Sequence, residues 1–320
     1  MNGAAGHLRP LWLLAAAGLI LSVLPWVVSP YVLVWIFLLC VYLTLAASYD
    51  IVGGYMGYMN LGHSTFFGLG AYGTAILLNH GYGLPMAAAG GVIVSICFAA
   101  LVSYPLFRLR GAYFALGTFG MISLVEVLIN NLRNLTGGSG GISTPPGDNT
   151  VPAYYLSVLI VAATLTFSYL ISRSRFGLAL FSIREDEEVA RSLGVPTSLY
   201  KALALVFSAI PASLVGGVYV WCVTYISPPA AFGLEIALSP IVMAMLGGTG
   251  TLLGPFLGAL FLTSLQELLW TKMPYLHLTI YGGILVTIGL FMPGGIVRAR
   301  WFRPVLDALG VGEKMRYLDL

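Results

Sequence analysis

The chain is cut into apolar runs of about the length that crosses a bilayer, and only one long polar stretch interrupts them. A spanning helix needs ~20 mostly apolar residues. Such runs recur at Leu11–Val28, Tyr31–Ser48, Gly62–Leu78, Leu84–Phe107, Ala112–Asn130, Val151–Ile171, Ala202–Val223, Leu234–Leu246 (a short one), Leu252–Leu269 and Leu276–Met292. Of 320 residues 58% are hydrophobic and 8% charged, against about 25% charged in a soluble domain. The expected fold is therefore an all-α membrane protein: one domain, residues 1–320, built as a polytopic bundle of about ten transmembrane helices in the lipid bilayer. Leu11–Val28 follows Arg9 and could be read as a signal peptide, but its apolar run exceeds the roughly 7–15 residues of such a core and no clean cleavage site follows. We read it as the first span.

Charge placement orients the bundle. With ten spans both termini share a side, and 13 of the 15 Lys and Arg fall there; only Arg133 and Lys272 fall opposite. Basic residues concentrate in cytoplasmic loops, so both termini and the polar stretch 172–201 are expected in the cytoplasm. The Gly/Pro/Asn-rich loop 131–150 is expected outside.

The polar stretch reads SRSRFGLALFSIREDEEVARSLGVPTSLYK. Ser182 with Glu185 three residues on forms a capping-box pattern. Asp186 and Glu187 suit a first helical turn. Gly194 can take the left-handed position after the helix, and Pro196 prevents continuation. Asp186, Val189, Ala190 and Leu193 fall at i, i+3, i+4 and i+7, which gives one mostly apolar face. A capped amphipathic helix between two spans suits the groove of another protein; a solvated helix that only joins two spans fits the same pattern.

Two glycine-rich breaks lie at membrane depth. One runs from Gly53 to Gly62, the other from Gly247 to Gly254, and Leu61–Ala71 (LGHSTFFGLGA) weakly repeats in Leu253–Ala259 (LGPFLGA). Non-helical backbone at that depth needs protein or a water-filled cavity around it, and such duplication is common in transporters, with the pathway at the repeat interface. Gly62, His63, Phe66, Phe67, Gly250, Gly254, Pro255 and Phe256 are the candidate pathway residues; tight helix packing is the alternative role for the glycines. Their apolar neighbours suit an apolar side chain moving past and offer no fixed charge, which predicts weak affinity. Glu126, Glu235 and Glu267 lie near outer ends of spans, and no acid sits at a midplane. This argues against an ion-coupled secondary transporter, which the repeats alone would allow.

No cofactor is expected. Cys40, Cys97 and Cys222 show no metal spacing and read as core hydrophobes, and nothing resembles a nucleic-acid module. A phosphate-cradling loop needs Lys followed by Ser or Thr, whereas Lys201, Lys272 and Lys314 precede Ala, Met and Met. The chain itself is not expected to be an enzyme, and any pumping energy comes from elsewhere.

Several motifs together resemble the permease subunits of bacterial ABC importers for branched-chain and other hydrophobic amino acids. They are NLGHSTFFGLGAY (Asn60–Tyr72), RLRGAYFALGTFG (Arg108–Gly120), LTGGSGGI (Leu135–Ile142), SRFGLALFSIREDEEVARSLGV (Ser174–Val195), GGTGTLLGPFLGA (Gly247–Ala259) and FMPGGI (Phe291–Ile296). The resemblance implies a type II ABC importer-like bundle in the bacterial inner membrane. Its implied partners are a second homologous permease subunit, two cytoplasmic ABC ATPase subunits and a periplasmic solute-binding protein that delivers a small-molecule substrate. It also makes Arg184, Glu185, Asp186, Glu188, Val189, Ala190, Leu193 and Gly194 the expected ATPase-coupling residues. Leu178, Phe181, Asn60, Ala112 and Met121–Ile122 depart from the family pattern, and urea or short amides stand beside leucine-like amino acids as the expected cargo. The topology is directly testable: cysteines placed at Ser139 and Ser198 are expected to label from opposite sides of the membrane. Labelling of both from the periplasm would contradict the ten-span arrangement.

Overall fold

The computed structural model describes residues 24–273, 276, 279–280, 282–283, 286 and 295–297. Nearly all of the expected first span, most of Leu276–Met292 and the basic tail lie outside these residues.

Twelve α-helices are described. They are α1 Pro30–Asp50, α2 Ser64–Asn79, α3 Leu84–Leu106, α4 Ala112–Asn131, the single turn α5 Arg133–Thr136, α6 Thr150–Arg173, α7 Arg175–Glu185, α8 Glu187–Ser192, α9 Thr197–Val223, α10 Pro228–Phe232, α11 Leu234–Gly247 and α12 Leu253–Lys272. Among the described residues, seven helical stretches are long and apolar enough to cross a membrane: Pro30–Tyr55, Leu84–Leu106, Ala112–Asn131, Thr150–Arg173, Thr197–Val223, Pro228–Gly247 and Leu253–Lys272.

Local chemistry sets the ends of these elements. Ser29 caps α1, its Oγ accepting from the Val32 amide, and Pro30 occupies the first turn, where its missing N–H costs nothing. α9 closes on Thr224 in the left-handed region. The Gly/Pro/Asn-rich loop 131–150 is more ordered than its composition predicts. Within it β1 (Ile142–Ser143) pairs antiparallel with β2 (Tyr225–Ile226), Ile142 opposite Ile226. The Asn149 side chain donates to the Trp221 carbonyl at 3.0 Å.

Helices α1 and α9 are the structural centre. α9 packs on α1, α2, α3 and α6, while α1 packs on α6 and on the α11–α12 hairpin. Their shared core holds Phe37, Val41, Phe66, Phe67, Leu205 and Val215. α2, within the expected third span, is only 16 residues long, and most of it is buried between α3 and α9. Close backbone approach allows this. A Cβ on Gly216 would come within 2.2 Å of the Phe67 carbonyl oxygen. The same logic closes the α11–α12 hairpin, where a Cβ on Gly258 would come within 1.8 Å of the Met243 carbonyl oxygen. The outward faces of α3, α4 and α6 stay apolar, with Leu101, Leu116, Leu124 and Leu159 exposed. Surface of this kind needs a non-aqueous cover, which the bilayer provides.

Candidate functional site

The polar stretch folds as two helices, not one. α7 runs Arg175–Glu185, Asp186 is extended, and α8 runs Glu187–Ser192. The expected capping box is therefore wrong. Ser182 lies in the last turn of α7 and its hydroxyl donates back to the Ala179 carbonyl at 2.8 Å. Asp186 is the N-cap instead: its Oδ1 accepts from the amides of Glu188 and Val189 at 2.8 and 3.0 Å. An acid just ahead of a run of acids can fill either position on pattern alone. The tertiary fold decides, because α7 must bury Leu180 and Ile183 against the core.

The end of α8 follows the sequence closely. The Val195 amide donates to the Ala190 carbonyl and the Gly194 amide to that of Arg191, with Gly194 at φ +88°. This is a Schellman closure, in which glycine avoids the strain a side chain would add. Pro196 then begins the lead-in to α9.

The expected apolar face is divided. Ala190 is buried against the bundle, while Val189 and Leu193 are 54% and 79% exposed. Glu185, Asp186, Glu188 and Gly194 are exposed as well. α8 thus shows the solvent two large apolar side chains among carboxylates, and the Arg110–Glu188 ion pair at 2.9 Å joins it to the start of α4.

A buried cation, Lys201, anchors α8. Lys201 in the first turns of α9 is 2% exposed, and its Nζ donates to Glu187 Oε1 at 2.8 Å. Its charge also faces the Tyr58 and Phe107 rings at 5.1 and 5.4 Å. Tyr58 donates to Glu187, and Arg191 donates to the same carboxylate at 3.0 Å. Burial pushes the Glu187 pKa up, but the hydrogen bonds from Lys201 and Tyr58 and the charges of Lys201 and Arg110 outweigh it. The net shift is downward from the ordinary 4.5. Sequence reading counted Lys201 only as a cytoplasmic charge. Its one legible signal was a lone lysine at the very edge of an apolar run.

Arg184, expected among the coupling residues, is exposed, yet its guanidinium also reaches the bundle. Its Nη1 donates to the Gly54 carbonyl at 2.7 Å. Gly53 and Gly54 are not a non-helical break, as expected, but lie in a π-helical turn, Ile51–Tyr55, that extends α1. The chain leaves the helical path only at 56–60. Widening the turn frees carbonyls, and Arg184 satisfies one of them. Beside it the buried Asp50 carboxylate accepts from the Gly250 amide through both oxygens, at 2.9 and 3.0 Å. A Cβ on Gly54 would lie 2.5 Å from the Gly250 nitrogen. The two glycine-rich breaks therefore touch, with Asp50 and Arg184 at the junction. Gly250 itself is at φ +79°.

The remaining pathway candidates divide. Gly62, Phe66, Phe67, Gly254 and Pro255 are buried, and Phe256 is exposed. His63 Nε2 lies 2.8 Å from the Ser48 hydroxyl, while its ring packs edge-on against Tyr49 and Phe66. Asn60 Nδ2, His63 Nδ1, Ser64 Oγ and Thr65 Oγ1 are buried with no hydrogen-bond partner among the described residues. Buried polar groups are normally paired, so this cluster marks where water or a passing molecule could bond. A Cβ on Gly62 would come within 2.4 Å of the Thr118 carbonyl oxygen, and one on Gly254 within 2.1 Å of that of Gly248. Both glycines thus serve packing, whatever else they do.

The Lys201–Glu187 pair is testable. A carboxylate with a lowered folded pKa stabilises above its unfolded value, and that contribution fades as pH falls through the folded value. At neutral pH it is fully present. Lys201→Met is expected to cost about 3 kcal/mol, the low end for a broken buried pair because Glu187 keeps some water. Adding Glu187→Gln should restore most of it in thermal unfolding of the purified protein. Equal losses in the single and double variants would contradict the pairing.

A family model described as branched-chain amino acid transport system / permease component matches residues 31–289. The chain is 29% identical over 294 residues to the high-affinity branched-chain amino acid transport system permease protein LivM of Salmonella typhimurium, covering 80% of this chain and 68% of that protein. The Escherichia coli LivM matches at 29% over 298 residues, with the same shares. The autoinducer 2 import system permease protein LsrC of Yersinia pestis is 28% identical over 213 residues, 63% of this chain and 59% of that protein. No solved structure matches. A match running from α1 through α12, over helices that can span a membrane seven times, shows that the chain belongs to the permease components of branched-chain amino acid transport systems.

Proposed function

We propose that the protein is the translocating subunit of an ATP-driven ABC importer in a bacterial inner membrane, moving branched-chain or related hydrophobic amino acids by alternating access. It pairs with a second, homologous permease, two cytoplasmic ATPases and a periplasmic solute-binding protein. The bundle has about ten spans, with a weak internal repeat, and both termini lie in the cytoplasm. The LivM relatives support an amino acid as cargo. The LsrC relatives carry a name with a different cargo, so the family alone does not decide it.

The observation that carries the coupling role is the anchoring of α8. A helix meant only to join two spans needs no buried cation. Here Lys201 and Glu187 fix α8 to α9 while Val189 and Leu193 point away from the bundle. Such a helix moves with the bundle when its outer face is pushed. On this reading ATP draws the ATPases together, α8 and α7 follow, and Arg184 passes the displacement to the Gly54–Gly250 junction. The driving reaction biases two discrete arrangements of packed helices.

Asp186 is a poor test position, because its loss removes the N-cap of α8 at about 1 kcal/mol. Leu193→Asp is a clean one. It changes only an exposed side chain, and the expected result is an inserted permease that transports at under a tenth of the wild-type rate and co-purifies poorly with the ATPases. Wild-type transport and ATPase association in that variant would sink the docking role.

A further inference from the structure

At the end of the bundle opposite α7 and α8, helices α1, α9, α10, α11 and α12 border a cavity of about 960 Å³. Its chemistry is one-sided. Two carboxylates line it, Glu235 from the start of α11 and Glu267 from α12, and no lysine, arginine or histidine among the described residues does. The walls between them are aromatic, including Tyr31, Trp35 and Tyr219. Gln266 Nε2 donates to Glu235, and the Tyr31 hydroxyl donates to Glu267, so neighbours orient both acids.

Two further polar atoms are left over. Thr263 is 5% exposed and lines the cavity, yet its Oγ1 has no hydrogen-bond partner among the described residues. The Trp35 Nε1 is buried at the same wall, also without one. Indole N–H only donates, and a threonine hydroxyl both donates and accepts. A pocket needs few polar groups to orient a ligand, provided the rest is apolar, and Leu38 and Ile236 supply apolar wall here.

We propose that this cavity binds a primary ammonium group carried on an apolar body. The two carboxylates take the charge, and the aromatic faces hold a desolvated cation through their quadrupoles. An α-amino acid also brings a carboxylate, for which the Trp35 N–H and Thr263 O–H are the available donors. This inference deepens the importer reading and rests on it for its biological use: the cavity is the outward-facing station where the substrate is received. It favours amino acids over urea or neutral amides. It also replaces the expectation that the chain offers no fixed charge to its cargo.

A phosphatidylethanolamine headgroup carries the same ammonium, so the lipid must be controlled. The assembled importer is placed in nanodiscs of phosphatidylcholine and phosphatidylglycerol. It is titrated with 3-methylbutylamine and separately with 4-methylpentanoate, which share one apolar body and differ in charge. The signal is tryptophan fluorescence, with the Trp35 contribution isolated by difference from Trp35→Phe. The amine is expected to saturate the signal and the carboxylate to leave it flat. Glu235→Gln, an exposed change that leaves the fold intact, and Glu267→Gln should each raise the half-saturating amine concentration about tenfold or more, as for loss of one partly desolvated charge contact. Equal responses to both probes, no response to either, or unchanged affinity in both variants overturns the site. Loss of the amine response on adding phosphatidylethanolamine assigns the cavity to lipid and overturns the substrate station. Leucine uptake by the wild-type importer tests the underlying reading separately: its absence beside an intact amine response removes the amino-acid cargo and leaves the ammonium site standing.

Discussion

Two backbone groups where the glycine-rich turns meet, the Gly54 carbonyl and the Gly250 amide, find their partners in side chains. Buried polar groups are normally paired, and here one arginine and one aspartate pair them. Arg184 donates to Gly54, and Asp50 accepts from Gly250. The consequences spread outward. α1 can widen into a π turn, the α11–α12 hairpin can bring its glycine corner against that turn, and α7 is tied to both. A buried carboxylate without a donor, or a freed carbonyl without Arg184, would leave an unpaired group costing about 1–3 kcal/mol or more.

That junction lies between two regions at opposite ends of the bundle. At one end α8 is fixed by Lys201 and Glu187 and leaves Val189 and Leu193 exposed. At the other end Glu235 and Glu267 face a cavity among aromatic rings. On the importer reading these are the input and the receiving station, and α1 connects them. It runs from Tyr31 at the cavity to Asp50 at the junction. Small displacements of α7 have a rigid path to travel, since close packing makes interiors transmit strain.

Much of this was legible in the residues, and the failures have physical causes. Apolar length found the long helices, and the Gly194–Pro196 stop was readable because turn chemistry is local. The capping box at Ser182 failed because burial of Leu180 and Ile183 extends α7 by three residues, a tertiary demand that no local pattern encodes. Hydropathy placed α2 among the apolar runs, but its burial between α3 and α9 is a property of the fold. Ala190 was assigned to the docking face by periodicity, but a six-residue helix lying on a bundle must spend one position on its anchor. Lys201 was read as a cytoplasmic charge, since a sequence gives no sign of the carboxylate that will meet it, and nothing local showed that the exposed Arg184 would also reach the Gly54 carbonyl. The cavity acids were noticed for their depth, but their convergence from α11 and α12 is a property of the fold.

The central claim is that the Arg184 link between α7 and the Gly54–Gly250 junction carries the motion. The measurement that tests it most directly is the number of ATP molecules hydrolysed per substrate imported, in the reconstituted importer carrying Arg184→Met. This change keeps an unbranched apolar stem and removes the bond to Gly54. The account predicts intact assembly and ATP hydrolysis with that ratio raised at least tenfold. A ratio equal to that of the wild type would contradict it.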